Sequence, residues 1–291
     1  MLVSIGMPVY NRPVEMTRAL DSVLAQSYQN IEIVISNNCS PNLKVDEIIK
    51  EYLQRDSRIK YYFQKEALPV IDNFKFVLEK ASGEYFLWLS DDDWIDISYI
   101  EECQNYLQNN PDYNLACGEC SYHTKSAEFM HKVKMPSLDL SSPSQRVIQY
   151  YRNVKLNGYF YGMRKTSLSK AIPLQNKLAF DWLYIAAIVY KGKSKILENI
   201  SMHITAGGLS NDTVELNKNL GANNFFTQNF VGVTASANAA LDVFRPNMYP
   251  VNILTKLIFS IRIFFTVLSK TFMWDAVHIK RLVFGNKKKQ V

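Results

Sequence analysis

Apolar and polar positions along the first hundred residues fall into two interleaved rhythms. Leu2 to Pro8 is a short apolar run with turn residues behind it, which predicts a strand covered on both faces. "RPVEMTRALDSVLAQS" follows, with Met16, Leu20, Val23 and Leu24 at helical spacing. "IEIVIS" predicts a second strand, closed by the turn-rich "NNCSPN". Val45 to Leu53 then reads as a helix, Ile59 to Phe63 as a strand, Ile71 to Ala81 as a helix and "EYFLWLS" as a further strand. This alternation predicts an α/β fold, a mostly parallel sheet flanked by helices with right-handed crossovers. Ligands of such sheets sit beyond the carboxyl ends of the strands, where Asn11, Asn37 and Asp91 to Asp93 fall.

Further on, Ser98 to Gln108 predicts a helix and "NLACGECSYHT" a strand. Glu128 to Ser144, with Pro136 and Pro143, is expected to be a mobile connection. "GYFYGMRKTSL" reads as a strand running into a helix start, "AFDWLYIAAIVYKG" as a helix and "KILENISMHIT" as a late strand. "AGGLSNDT" reads as a flexible loop whose Gly207–Gly208 pair suits closure over a ligand. From Ile253 the apolar residues Leu254, Leu257, Ile258, Ile261, Phe264, Phe265, Leu268 and Phe272 trace one helical face. Lys256, Arg262 and Lys270 interrupt the roughly 20 apolar residues that a spanning helix needs. Residues 253–289 are therefore expected to lie on a membrane surface, anchored by Trp274 and the terminal lysines. The alternative is a helix packed on the chain's own core or on a second copy in a homo-oligomer.

A content of 47% hydrophobic and 13% aromatic residues excludes wholesale disorder. Much of the net charge of +6 lies at Lys280, Arg281 and Lys287 to Lys289. That placement suits a local anionic contact and argues against a nucleic-acid-binding face. Four cysteines do not make a disulfide framework. The chain enters "MLVSIGMPVY" without a basic leader, so no signal peptide is expected, and the sequons at Asn38, Asn199 and Asn211 are expected to be unused. Cys117, Cys120 and His123 suggest zinc only superficially. On a strand Cys120 faces away from the other two, and no second ligand pair exists.

The chemistry concentrates in "WLSDDDW". Adjacent carboxylates raise each other's pKa unless a cation offsets their repulsion. Mg²⁺ or Mn²⁺ does so through hard oxygen ligands and keeps positions for substrate phosphates. The alternative is a solvated acidic turn capping the helix that follows. Its place at the sheet edge beside Asn11 and Asn37 favours a metal–diphosphate site. The first strand leads into "PVYNRP" with no G-x-G-x-x-G, which disfavours a dinucleotide-dependent oxidoreductase.

"VSIGMPVYNRPVEMTRALDSVLAQSYQNIEIVISNNCSPN", followed by "DNFKFVLEKASGEYFLWLSDDDW", resembles the inverting GT-A glycosyltransferases of family 2, of the bacterial surface-polysaccharide type. The resemblance implies a Rossmann-like GT-A fold with a C-terminal helical extension. Residues 1–100 would form the nucleotide-sugar-binding half, 101–215 the acceptor-binding half and 216–291 the extension. It implies transfer of a sugar from a nucleoside-diphosphate sugar to a glycan or lipid-linked acceptor, at the cytoplasmic face of the inner membrane. Pro8, Tyr10 and Asn11 would line the nucleoside pocket. Asn37 and Asn38 stand where acidic residues are usual, Asn73 matches the helix asparagine near the donor, and Asp91 would contact ribose or sugar. Asp92 matches the last residue of the Asp-X-Asp metal motif, whose first position is Ser90 here, so Asp93 adds charge.

Inverting transfer needs one general base for the acceptor hydroxyl. By the resemblance it is Asp181, with Phe180 replacing the usual acidic neighbour; on residue type alone Asp181 is equally a helix cap. His203 on the late strand is a candidate third metal ligand or phosphate contact, or a structural residue. Asn37, Ser90 and Phe180 also motivate a noncatalytic GT-A-like binding or scaffold subunit. A nucleotidyltransferase is disfavoured, since no glycine-rich basic loop for a triphosphate appears.

Overall fold

The structure, a computed structural model, describes residues 1–154, 158–207, 227, 229 and 230–284. Val3–Val9 (β1) and Ile31–Asn37 (β2) are buried at every position, as apolar runs without alternation require. β1 pairs in parallel with β2 and with Tyr85–Trp88 (β4), and β2 with Ile59–Phe63 (β3). Arg164–Lys165 (β8) closes the sheet antiparallel to β4, in the order β3-β2-β1-β4-β8. Pro13–Leu24 (α1), Leu43–Arg55 (α2) and Val70–Lys80 (α3) are the crossovers. Pro13 starts α1, where its missing N–H costs nothing, and Met16, Ala19, Leu20 and Val23 bury its inner face. The register Val9↔Asn37 and Gly6↔Trp88 brings β1, β2 and β4 to one carboxyl edge.

A second sheet carries the other half of the chain. Trp94–Ile95 (β5), Tyr113–His123 (β6), Phe129–Val133 (β7) and Lys193–Thr205 (β9) are ordered β5-β9-β6-β7, with Tyr99–Asn109 (α4) leading into β6. β5 pairs antiparallel with the end of β9, Trp94 opposite His203, so the segment leaving the acidic turn is stitched into the second sheet. At the irregularity after Gly118 a Cβ would come within 2.6 Å of the Ile200 carbonyl oxygen, so only glycine fits there.

Two expectations change. The stretch from Glu128 to Ser144 is not a mobile connection: it contains β7 and the start of Pro143–Arg152 (α5). β7 lies at the sheet edge with almost every side chain exposed, so backbone pairing with β6 holds it and no apolar alternation announces it. "GYFYGMRKTSL" is a 3-10 turn, Gly158–Tyr161, followed by the short β8 and by Thr166–Ala171 (α6). The turn packs so closely on β6 that a Cβ on Gly158 would lie 2.1 Å from Cys120 Sγ. The helix Val231–Asp242 (α8) falls within the helical extension expected for residues 216–291, although its small apolar residues carry little amphipathic signal of their own.

Phe180–Lys191 (α7) is buried on every face from Trp182 to Val189, which explains its continuous apolar run. Ile253–Phe284 (α9) is one 32-residue helix. It buries Phe259, Ile263 and Val267 and packs on α8 and α5. Asp275 accepts the Gly232 and Val233 backbone N–H groups at 2.8 and 2.9 Å, capping α8 from a distance. The outward face, with Leu254, Ile258, Ile261, Phe265 and Phe272, is exposed. Among the described residues no helix is long and apolar enough to cross a membrane. The Trp274 side chain, the terminal lysines and the "AGGLSNDT" loop from Gly208 onward lie outside the described residues.

A carboxylate inside β2 needs explanation. Glu32 accepts hydrogen bonds from Ser4 Oγ, from the Ser82 N–H (2.6 Å) and hydroxyl (2.8 Å) and from the Gly83 N–H (3.2 Å), and pairs with Lys60. Burial alone would raise its pKa, but the bonds from Lys60, Ser4 and Ser82 bring it down to about 2. It thereby ties β1, β2 and β3 to the start of β4. A depressed carboxylate contributes stability above its ordinary pKa of 4.5 and loses it as pH falls toward about 2. Glu32→Gln is therefore expected to lower stability by about 2 kcal/mol at pH 7, and by progressively less between pH 4.5 and the acid limit. Urea unfolding of both proteins across that range checks this, and a pH-independent difference would refute it.

Candidate functional site

β4 ends at Trp88, and the chain turns through Ser90 to Asp93 before β5, the Asp93 N–H donating to the Ser90 carbonyl at 3.2 Å. Each aspartate is held from a different element. Asp91 Oδ2 accepts the Tyr10 N–H at 2.8 Å, from the end of β1. Arg12 Nη1 lies 2.8 Å from Asp91 Oδ1 and 3.0 Å from Asp92 Oδ2. The Asp92 carbonyl accepts from Arg18 Nη2 of α1 at 3.2 Å and from the Thr205 hydroxyl of β9. Asp93 Oδ1 accepts the Thr205 N–H at 2.9 Å.

Burial dominates the electrostatics. It pushes Asp91 up to about 7 against the pull of Arg12, and raises Asp92 in the same direction. Asp93 is raised well above the usual carboxylate range: burial is joined by the charges of Asp92 and Asp91, against the pull of the Thr205 N–H and of Arg12. Asp92 lines a polar cavity of about 220 Å³ together with Asn11, Arg12, Glu15, Lys125 and the Thr205–Gly207 strand end. Asn11 adopts φ 61°, a left-handed conformation that asparagine tolerates. Its N–H donates to Ser40 Oγ at 3.0 Å, and the Ser40 N–H donates to Asn37 Oδ1 at 3.0 Å.

The expected donor-binding residues divide into two sets. Tyr10, half exposed, and Asn11 stand at the open edge. Pro8, Asn37, Asn38 and Asn73 stand behind it, buried. Asn37 donates to the Tyr61 hydroxyl at 3.1 Å, and Tyr61 in turn to Asp46. Asn38 bonds both the N–H and the carbonyl of Leu68, at 2.7 and 3.0 Å. Asn73 is joined to Ser36 through the serine hydroxyl (2.6 Å) and carbonyl (3.3 Å).

Asp181 lies in the first turn of α7, after Ala179 at φ 64°. Tyr161, half-buried, reaches the acidic turn: its hydroxyl is 3.1 Å from Ser90 Oγ. Burial of the hydroxyl raises the Tyr161 pKa, and the charges of Asp93, Asp92 and Asp181 raise it further against the Ser90 hydrogen bond. Phe180 meets Phe160 edge-on at 5.8 Å, forming the adjoining wall.

His203, a candidate ligand or a structural residue, lies opposite Trp94 on β9. Its Nε2 faces Asp96 Oδ1 at 2.8 Å, its Nδ1 faces His123 Nε2 at 3.0 Å, and its ring stacks on Trp94. Both ring nitrogens thus have protein partners here. Cys117 and Cys120 are buried thiols, and among the described residues no cluster of three or more His, Cys, Asp or Glu side chains is arranged for a metal ion. Arg12, Arg18, Thr205 and Tyr161 escaped the sequence reading. For Arg12 a signal existed, a cation beside Asn11 at the same sheet edge. Thr205 and Tyr161 arrive only through tertiary folding.

Comparison with known proteins places this geometry. Residues 4–171 match the model of "Glycosyl transferase family 2". An uncharacterized glycosyltransferase of Haemophilus influenzae is 35% identical over 109 residues, 38% of this chain and 43% of that one. Glycosyltransferase GlyA of Streptococcus pneumoniae serotype 4 is 38% identical over 100 residues, 34% of this chain and 14% of that one. The chain thus matches less than half the length of these relatives. Among solved structures, S. aureus TarS 1–349 superposes with TM-score 0.69 at 14% identity, over 99% of this chain and 76% of that one. Its complex with UDP-GlcNAc gives 0.67, over 99% and 77%. The mixed α/β architecture is GT-A, and with more than half of its length matched the chain belongs to glycosyl transferase family 2.

Proposed function

We propose that this chain moves a sugar, with inversion, from a nucleoside-diphosphate sugar to a hydroxyl of a glycan or lipid-linked acceptor in cell-surface polysaccharide synthesis. One observation carries the reading: Asp91 and Asp92 converge on a single cationic nitrogen beside a polar cavity at the carboxyl edge of a parallel sheet. TarS structures were obtained with UDP and UDP-GlcNAc, which supports a UDP-sugar as the first donor class to test. In this reading residues 1–100 serve the donor and 101–215 the acceptor. Tyr10 and Asn11 touch the nucleoside, while Pro8, Asn37, Asn38 and Asn73 hold the wall behind them.

The residues present fit Mn²⁺ or Mg²⁺. Two hard carboxylate oxygens already meet around one positive group, the guanidinium standing in for an ion. Asp92, supported by Asp91 and Asp93, would hold the ion with donor phosphate oxygens, and the ion would neutralise charge on the departing diphosphate. Lys125 and Arg12 line the same cavity and add positive charge for that diphosphate. Asp181 takes the acceptor's proton as its oxygen bonds the anomeric carbon. The anomeric C–O bond breaks on the opposite face, and its electrons leave with the diphosphate. His203 keeps the β5–β9 junction in place. The outward apolar face of α9 supports attachment to the cytoplasmic face of a membrane, where a lipid-linked acceptor is met in two dimensions.

Asp92→Ala is expected to lower diphosphate release from a UDP-sugar by about 10²–10³-fold, with the remainder insensitive to Mn²⁺. If the wild type releases none over a panel of donors and acceptors, the noncatalytic reading replaces this one. Asp181→Asn should reduce kcat by about 10²–10⁴-fold while UDP affinity stays within about twofold. A parallel loss of UDP binding would remove Asp181 from the base role. Exchanging Ile258, Ile261 and Phe265 together for glutamine should weaken sedimentation with anionic vesicles at least about tenfold. Unchanged sedimentation would exclude this face as the membrane contact.

A further inference from the structure

We infer that Arg12 is a built-in counter-ion that keeps the Asp91–Asp92 pair closed to a divalent metal until a donor diphosphate draws the guanidinium away. The inference rests on the metal–diphosphate reading above and adds an order to it. Among the described residues Arg12 is the only side-chain cation in ion contact with either carboxylate. One nitrogen, Nη1, serves both, at 2.8 and 3.0 Å, on the side where the two carboxylates converge. A metal drawing on the same two oxygens would stand against that nitrogen, and two cations sharing one position repel strongly in a buried setting. Guanidinium and metal therefore compete.

The guanidinium also has somewhere to go. Arg12 precedes the first turn of α1, its side chain is one-third exposed, and it lines the cavity together with Lys125. A diphosphate entering that cavity presents paired anionic oxygens, which the planar fork of a guanidinium matches better than it matches two separate carboxylates. Its backbone carbonyl accepts the Met16 N–H of α1 at 2.9 Å, so the exchange needs only side-chain rotation. The carboxylates it leaves then become ligands, and the metal finds the diphosphate already present. Diphosphate and metal each strengthen binding of the other, as linkage requires.

The test titrates Mn²⁺ into the full chain, following free Mn²⁺ by electron paramagnetic resonance with and without UDP. Wild type is expected to bind Mn²⁺ weakly alone and at least tenfold more tightly with UDP. Arg12→Gln should bind Mn²⁺ alone at least tenfold more tightly than wild type, and UDP should add only a few-fold more. Thermal melting gives a second readout: Mn²⁺ alone should stabilise Arg12→Gln more than wild type. Should Arg12→Gln fold poorly, Arg12→Lys, which keeps the charge on a shorter reach, should lie between wild type and the glutamine variant. Equal or weaker Mn²⁺ binding by the variants, with UDP still tightening the metal in wild type, overturns the role of Arg12 and leaves the proposed function standing. If no protein binds Mn²⁺ even with UDP, the metal site itself falls, and the inference with it.

Discussion

Three consecutive carboxylates at the buried end of β4 set the terms for this site. At an effective dielectric near 20, two unit charges 4 Å apart repel by about 4 kcal/mol, so the turn exists only if its surroundings offset that cost. The fold does so from three directions. The end of β1 supplies a backbone N–H, the start of α1 supplies Arg12 and Arg18, and the end of β9 supplies Thr205. Elements far apart in sequence thus converge because the acidic turn needs them. The pocket beside Asp92 is the gap they leave.

The same turn joins the two sheets. The chain leaves it as β5, which pairs with β9, and Trp94 is clamped between His203 and the Arg18 guanidinium, 4.1 Å from the ring. His203 therefore contributes through packing and through its bonds to Asp96 and His123. On the other side the Tyr161 hydroxyl lies 3.1 Å from Ser90 Oγ of the turn and feels the charge of Asp181 at the start of α7.

α9 answers a different constraint. Its inner face completes the core around α8 and α5, with Asp275 capping α8, while its outer face keeps large apolar residues in solvent. A helix that buries one apolar face and keeps a second in solvent has one face to give to a second phase or partner.

Local chemistry determined a large share of this protein. Buried strands, amphipathic crossovers, the carboxyl edge and the acidic turn all follow from apolar periodicity and turn residues, and the observed limits of these elements differ from expectation by at most three residues, from none for Ile59–Phe63 to two at each end of Leu43–Arg55. β7 and the 3-10 turn at Gly158 were not legible, because an exposed edge strand and a glycine contact carry no periodic signal. Residue type and position also singled out Asn11, Asn37 and Asp91 to Asp93, while Tyr10 and Asp181 came from the family resemblance. Only the tertiary structure decided that Asn37, Asn38 and Asn73 bond the protein behind the pocket and that His203 turns to Asp96. It also decided that Arg12 bridges two aspartates some eighty residues away. Partner choice by a polar side chain depends on which groups long-range packing brings within about 3 Å, and no local pattern encodes that distance.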